Sequence, residues 1–108
     1  MSIADLYQRL QSDLRLAISA RDSVRISVLR TAISTVDNSA AVAVETTPYQ
    51  VGFSKDVPRR QLDDEAIRAL LAEEIEERQK AIDLYARLDR ADRAETLRAE
   101  VAILTTYL

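Results

Sequence analysis

The sequence predicts an all-α protein, a compact bundle of four helices arranged as two antiparallel helical hairpins. Three observations support this fold class. Ala, Leu, Arg and Glu dominate the composition, whereas the 108 residues include one glycine and two prolines, a balance that favours helices. Apolar residues recur at steps of three and four along most of the chain, which is the spacing of an amphipathic helix. Because this length fits one core, we expect residues 1–108 to form a single domain.

The first two helices are separated by a very short connection. Ser2 suits the N-cap position of a first helix that reaches Ala20. Asp22 can cap a second helix that begins at Ser23, so we expect the two helices to form an antiparallel hairpin. The apolar arc of the second helix covers about 200° of its circumference. We therefore expect this helix to be central and to contact more than one neighbour.

The helical pattern fails from about Asn38 to Gln61, and residues 38–62 are predicted to form a long irregular connection, into which the second helix can extend with frayed turns through Ala40 to Val44. This segment contains both prolines, the only glycine and the only phenylalanine. Loops longer than about 12–15 residues are uncommon inside compact domains and are usually functional or disordered. Two interpretations stay open: a disordered or covering segment, and an arm that docks a partner through Tyr49, Val51 and Phe53.

The last two helices form the second predicted hairpin. Asp63 makes a good start for a third helix, with Asp64 and Glu65 in its first turn. This helix reaches Leu88, and a turn at residues 89–90 leads into a fourth helix. The apolar residues of the fourth helix alternate at steps of three and four, as in two closely packed antiparallel helices. They are Ala94, Leu97, Val101, Leu104 and Leu108.

Four charged residues interrupt these apolar stripes. Glu74 and Arg78 lie one turn apart in the middle of the third helix's apolar face, whereas Arg25 and Glu100 interrupt the second and fourth helices. Because buried ions persist only when they are paired and hydrogen-bonded, we predict one buried ionic network that joins three helices. A second interpretation is that Arg25 and Arg78 bind an anion or a partner's carboxylate in a groove.

The composition excludes several kinds of chemistry. The chain has no cysteine and no histidine, so disulfides, thiolate nucleophiles and the commonest metal ligand are absent. We expect no catalytic residue, no metal site and no cofactor. No stretch approaches about 18 apolar residues, and no signal peptide pattern is visible, so we expect a cytoplasmic protein without a membrane segment.

The charge is unevenly distributed along the chain. Residues 1–60 carry eight Lys/Arg against six Asp/Glu, which gives +2, and residues 61–108 carry seven against twelve, which gives −5. The net charge of −3 argues against strong nonspecific binding of nucleic acid. Ordinary solvated cations are one interpretation of the basic residues, and a local RNA-binding or partner-binding surface is the other. The candidate surface comprises Arg21, Arg25, Arg30, Lys55, Arg59 and Arg60.

Several spaced segments of the chain carry a family resemblance: Ala20-Arg21-Asp22, residues 25–30, Glu74 with Arg78, Ala81-Ile82, Glu100, Ile103-Leu104 and Tyr107-Leu108. The chain resembles the N-terminal helical part of the YqeY-like family, in which a Gly-Arg turn usually stands at the position of Asp89-Arg90. That family usually continues past a Tyr-Leu sequence into a proline and a small helical tail, so we expect the tail domain to be absent from this chain.

The resemblance also implies a function. The family is similar to the C-terminal part of the B subunit of glutamine-dependent aminoacyl-tRNA amidotransferases, which are carbon–nitrogen ligases that use glutamine as amido-N-donor. That part is a noncatalytic helical extension that contacts tRNA. The resemblance thus implies an accessory, noncatalytic domain that binds tRNA and associates with an amidotransferase. The alternative is a protein-interaction or homo-oligomerising module without RNA binding. For a third class, an independent hydrolase or ligase, no nucleophile and base are visible in the sequence.

Overall fold

The computed structural model describes residues 5–45 and 62–108, and for residues 42–45 it describes the backbone alone. Within these ranges the chain forms four helices and no strand: α1 (Leu6–Ala20), α2 (Ser23–Glu45), α3 (Asp64–Arg87) and α4 (Ala91–Thr105). The closest packing is between α1 and α2 and between α3 and α4. The predicted all-α fold of two helical hairpins is therefore confirmed.

The first helix begins later than predicted. Asp5, and not Ser2, is its N-cap, and the Asp5 side chain accepts hydrogen bonds from the backbone N–H groups of Tyr7 and Gln8. The backbone N–H of Leu6 donates to Asp64 Oδ1 at 3.0 Å. Two carboxylates thus satisfy the free N–H groups at this helix end, and one of them belongs to α3. Residues 1–4 lie outside the described residues.

The second helix ends later than predicted. It begins at Ser23, as expected, and Asp22 Oδ1 accepts a hydrogen bond from the backbone N–H of Arg25 at 3.1 Å. The helix then continues to Glu45, so the predicted irregular connection is wrong for residues 38–45. Ala40 is buried one turn after the buried Val36, which extends the apolar stripe and favours another turn of helix. The partner arm predicted at residues 49–53 lies outside the described residues.

The third and fourth helices agree closely with their predicted bounds. The Asp63 side chain caps α3 by accepting from the backbone N–H of Ala66 at 2.8 Å. At the other end of α3, Asp89 adopts a left-handed conformation with φ 63°. The Arg90 N–H reaches back to the Tyr85 carbonyl at 2.8 Å, which closes the helix in a Schellman motif.

One hydrophobic core joins the two hairpins. Leu10 of α1, Leu29 of α2, Leu71 of α3 and Leu104 of α4 each have no exposed surface and belong to the same cluster. As predicted, α2 has more than one neighbour, since it contacts each of the other three helices, and α3 does so as well. Among the described residues, no helix combines the length and the apolar character needed to cross a membrane.

Candidate functional site

The most distinctive polar feature of the fold is an ionic cluster centred on Arg78. Arg78 Nη1 binds Glu74 Oε1 at 2.9 Å, and Arg78 Nε binds Glu100 Oε1, also at 2.9 Å. The side chains of Arg78, Glu74 and Glu100 are 15%, 14% and 19% exposed. The cluster is therefore only partly buried, whereas a fully buried network was predicted. It joins α3 to α4.

A threonine that the sequence analysis did not single out connects this cluster to α2. Thr35 Oγ1 donates a hydrogen bond to Glu74 Oε2 at 2.7 Å, so each oxygen of Glu74 has a partner. Thr35 lies seven residues after the buried Val28, at the edge of the apolar stripe of α2. A polar residue at the edge of a stripe is common on helices, which is why the sequence alone gave no reason to select it.

Arg25 lies outside the ionic cluster, contrary to the prediction. Its Nε is 3.3 Å from Asp22 Oδ2, and the two side chains are 47% and 40% exposed. Arg25 precedes Thr35 by ten residues, which corresponds to about 15 Å along a helix. The apolar stripe of α2 extends into its first turn, but the turn lies at the end of the bundle, so a charge there remains in contact with water.

The electrostatics of the cluster favour an internal role for Arg78. Burial by itself lowers the pKa of Arg78, but the hydrogen bonds to Glu100 and Glu74, together with their charges, outweigh it and raise that pKa. Arg78 also donates to the backbone carbonyl of Glu74 at 3.2 Å. One cation thus faces two anions, and its Nε and Nη1 donors are engaged within the chain. This arrangement does not suit an anionic ligand.

A second polar contact fastens the C-terminal turn to α1. Tyr107 is 2% exposed, and its hydroxyl donates a short hydrogen bond to Asp13 Oδ2. The Arg9 guanidinium lies 4.7 Å from the centre of the Tyr107 ring, within the range of a cation–π contact, and donates to the carbonyl of Thr106 at 3.3 Å. Burial and the bond to Asp13 raise the pKa of Tyr107. The sequence analysis did not foresee this contact, because it joins residues 94 positions apart.

The predicted cationic surface is only partly described. Arg21 and Arg30 are exposed, and Arg21 has a left-handed backbone (φ 56°) at the turn between α1 and α2. Arg25 lies in the first turn of α2, near Arg21 in sequence, but about 140° of helix rotation separates it from Arg30. The arginines therefore do not share one face of α2. Lys55, Arg59 and Arg60 lie outside the described residues.

A groove of ≈ 270 Å³ between α3 and α4 borders the ionic cluster. Arg93 covers the ring of Tyr85 at 5.5 Å, and Thr96 Oγ1 donates to the carbonyl of Asp92 at 3.2 Å, so the hydroxyl is not directed at a base. In the part of the chain that the structure describes, no three Asp/Glu side chains are placed to hold a metal ion. The groove is lined by Ala81, Tyr85, Arg93, Thr96, Leu97 and Glu100.

These features define a class of protein, a small all-α domain of two helical hairpins held together by a shared core and an ionic cluster. The family model described as Yqey-like protein matches residues 7–108, which include all but the first residue of α1 and the whole of the other three helices. The chain therefore belongs to the YqeY-like family, as the sequence resemblance indicated. Among curated proteins, none matches the chain.

Proposed function

We propose that this protein is a cytoplasmic, noncatalytic accessory domain that binds tRNA and works with a glutamine-dependent amidotransferase, a carbon–nitrogen ligase. The observation that carries the proposal is membership of the YqeY-like family across residues 7–108. That family resembles the tRNA-contacting extension of the amidotransferase B subunit, and this resemblance is the reason for proposing tRNA as the ligand. The site supports a noncatalytic role because the ionic cluster uses its charged groups to join helices.

The distribution of charge favours the α1–α2 hairpin as the side that approaches RNA. Residues 5–45 carry five arginines and five acidic residues, a net charge of 0, whereas residues 62–108 carry seven basic and twelve acidic residues, a net charge of −5. Phosphate groups are repelled less by the first hairpin. Arg21, Arg25 and Arg30 are its exposed candidate cations.

Fluorescence anisotropy with unfractionated labelled tRNA at low salt tests the proposal. We expect binding whose logarithmic affinity falls linearly with the logarithm of the salt concentration, because phosphate contacts release counterions. The triple variant Arg21→Gln/Arg25→Gln/Arg30→Gln is expected to bind more weakly and with a shallower salt dependence. Each phosphate contact that is removed reduces the slope by about 0.7–0.9.

A matched triple variant distinguishes the loss of a local binding surface from a general effect of net charge. Arg68, Arg90 and Arg98 are exposed on the other hairpin, and their replacement by glutamine removes the same three charges. We expect this variant to bind more tightly than the α1–α2 triple variant. Equal losses in the two would contradict the assignment to α1–α2, and no binding by the wild type at low salt would contradict tRNA binding altogether.

The amidotransferase association needs a separate test. Affinity purification of the tagged full chain from its native cell, followed by identification of both the RNA and the protein partners, should recover tRNA together with amidotransferase subunits. Recovery of tRNA without them would remove the association and keep the RNA function. Recovery of neither would favour the interaction module without RNA binding.

A further inference from the structure

The outward face of α3 carries charged residues in a regular order. Glu76, Lys80, Asp83 and Arg87 follow one another at steps of four, three and four, which places them along one ridge of the helix. All four are exposed, and none forms an ion pair with another described residue. The charges along this ridge therefore alternate as negative, positive, negative and positive, with no partner of opposite charge bound.

Two leucines lie beside this charged ridge. Leu84 is 50% exposed and Leu88 is 58% exposed, and both are among the large apolar side chains with the greatest exposure in the described residues. They are one helical turn apart, so they present adjacent apolar surface on one side of the ridge. Apolar residues flanked by alternating charges are the usual content of a helix–helix interface.

The order of the charges is self-complementary. When a second copy of α3 runs antiparallel to the first, Glu76 lies opposite the partner's Arg87, and Lys80 lies opposite the partner's Asp83. A two-fold axis midway between residues 81 and 82 generates all four pairs, as an isologous interface requires. Leu84 is then about 4 Å along the helix from this axis, so the Leu84 side chains of the two copies lie near the centre of the interface, whereas Leu88 lies at its end.

We propose that the outward face of α3 is the interface of an antiparallel homodimer. The ridge from Glu76 to Arg87 is about 16 Å long, which is short for a protein interface, so we expect the dimer to be weak and reversible. The interface lies on the hairpin opposite to the one assigned to RNA. Dimerisation and RNA binding can therefore be tested, and can fail, independently.

Analytical ultracentrifugation of the full chain, from about 10 to 500 μM, tests this proposal. We expect the apparent mass to rise with concentration from the monomer value of 12.1 kDa. The variants Glu76→Arg and Arg87→Glu each replace two attractive contacts by two repulsive ones. Each is expected to weaken dimerisation by about 10-fold.

An equimolar mixture of the two variants is the decisive measurement. In a mixed dimer the introduced arginine faces the introduced glutamate, and the native Arg87 of one copy faces the native Glu76 of the other. The mixture should therefore regain the affinity of the wild type. Ion pairs within one helix, such as Glu76 with Lys80, also fit the spacing, but they cannot produce this recovery between two chains.

Leucine variants provide the matched control. Leu84→Glu should weaken dimerisation, whereas Leu16→Glu, at a position 67% exposed on α1, should leave it unchanged. Circular dichroism verifies that each variant stays helical. A wild type that is monomeric up to about 500 μM, a dimer that is insensitive to the α3 variants, or a mixture no tighter than the single variants would each overturn the proposal.

Discussion

Arg78 holds two carboxylates from different helices while its side chain is only 15% exposed. An exposed ion pair contributes under about 1 kcal/mol, whereas the breaking of a fully buried pair costs about 3–5 kcal/mol, mostly because a charge is left without its partner. The exposure of this cluster places it between these limits. Its main consequence is geometric, because the three side chains meet only in one register of α3 against α4.

We expect Arg78→Leu to lower the free energy of unfolding by about 1–3 kcal/mol, since Glu74 and Glu100 would keep their charges close together without a cation. Urea denaturation measures this loss. Arg98→Leu is the matched control, because Arg98 is 54% exposed and its nearest carboxylate oxygen is 4.0 Å away. We expect it to change the stability by under about 0.5 kcal/mol. Equal effects of the two substitutions would contradict a structural role for the cluster.

Because the Tyr107 phenol is buried, we expect the free energy of unfolding to fall at alkaline pH. Burial and the hydrogen bond to Asp13 raise its pKa in the folded chain. The unfolded chain therefore releases this proton first, at about pH 10. The contribution of Tyr107 to the free energy of unfolding is fully present below that pH, and it falls as the pH rises toward the pKa of the phenol in the folded chain.

The variant Tyr107→Phe lacks this titration. We expect it to be less stable than the wild type at pH 8, and we expect the difference to shrink between about pH 10 and 12, by up to about 1.4 kcal/mol per pH unit. Urea denaturation at several pH values checks this result. Parallel curves for the two proteins would show that the folded phenol titrates as in the unfolded chain.

At the scale of the helices, the ends are fixed by local chemistry. Asp5, Asp22 and Asp63 each cap a helix by accepting hydrogen bonds from its first backbone N–H groups. Both hairpin turns contain a left-handed residue that is not glycine, Arg21 at φ 56° and Asp89 at φ 63°. A Cβ atom disfavours that conformation by about 1–2 kcal/mol. A glycine at position 89 would adopt this conformation without that cost.

We expect Asp89→Gly to raise the free energy of unfolding by about 0.5–1 kcal/mol. Relief of the left-handed strain outweighs the greater freedom of glycine in the unfolded chain, and an unfavourable negative charge is removed from the helix C-terminus. Thermal and urea denaturation check the gain. Ala86→Gly, three residues earlier at an exposed position in the last turn of α3, should instead lower the free energy of unfolding, by up to about 1 kcal/mol. A loss in both variants would contradict this account of the turn.

At the scale of the whole molecule, the core holds the two hairpins together. The side chain of Leu71 has no exposed surface and belongs to the cluster that includes residues of all four helices. Long-range polar contacts reinforce this arrangement. Asp64 of α3 accepts a hydrogen bond from the first backbone N–H of α1, and Tyr107 docks on Asp13 of α1. Each of these contacts crosses from one hairpin to the other.

We expect Leu71→Ala to lower the free energy of unfolding by about 2–5 kcal/mol, because it removes buried apolar surface and leaves a cavity shared by both hairpins. The unfolding transition should stay cooperative, since one core serves the whole domain. Leu16→Ala is the control, as Leu16 is 67% exposed, and it should cost under about 0.5 kcal/mol. A loss that affects only one of two separate transitions would indicate two independent hairpins.

The sequence by itself determined the helical class, the two hairpins and most helix ends, because these depend on apolar periodicity and on caps a few residues away. It also selected Glu74, Arg78 and Glu100, since a charge within an apolar stripe is visible without coordinates. Whether charged residues on the apolar stripes of different helices meet depends on how far the helices are shifted along one another. This shift is set by the tertiary packing. Arg25 illustrates the difference, because it interrupts the apolar arc of α2 as predicted, but it lies in the first turn, about 15 Å along the helix from Thr35, and pairs with Asp22 instead of the cluster.

Only the tertiary structure decided which groups join the hairpins. Thr35 and Tyr107 look ordinary in the sequence, and their partners Glu74 and Asp13 lie 39 and 94 positions away. The extension of α2 to Glu45 has the same origin, since the burial of Ala40 favours helix where the local pattern was too weak. Contacts between residues distant in the chain are set by the packing of the helices against one another, and periodicity within one helix does not encode them.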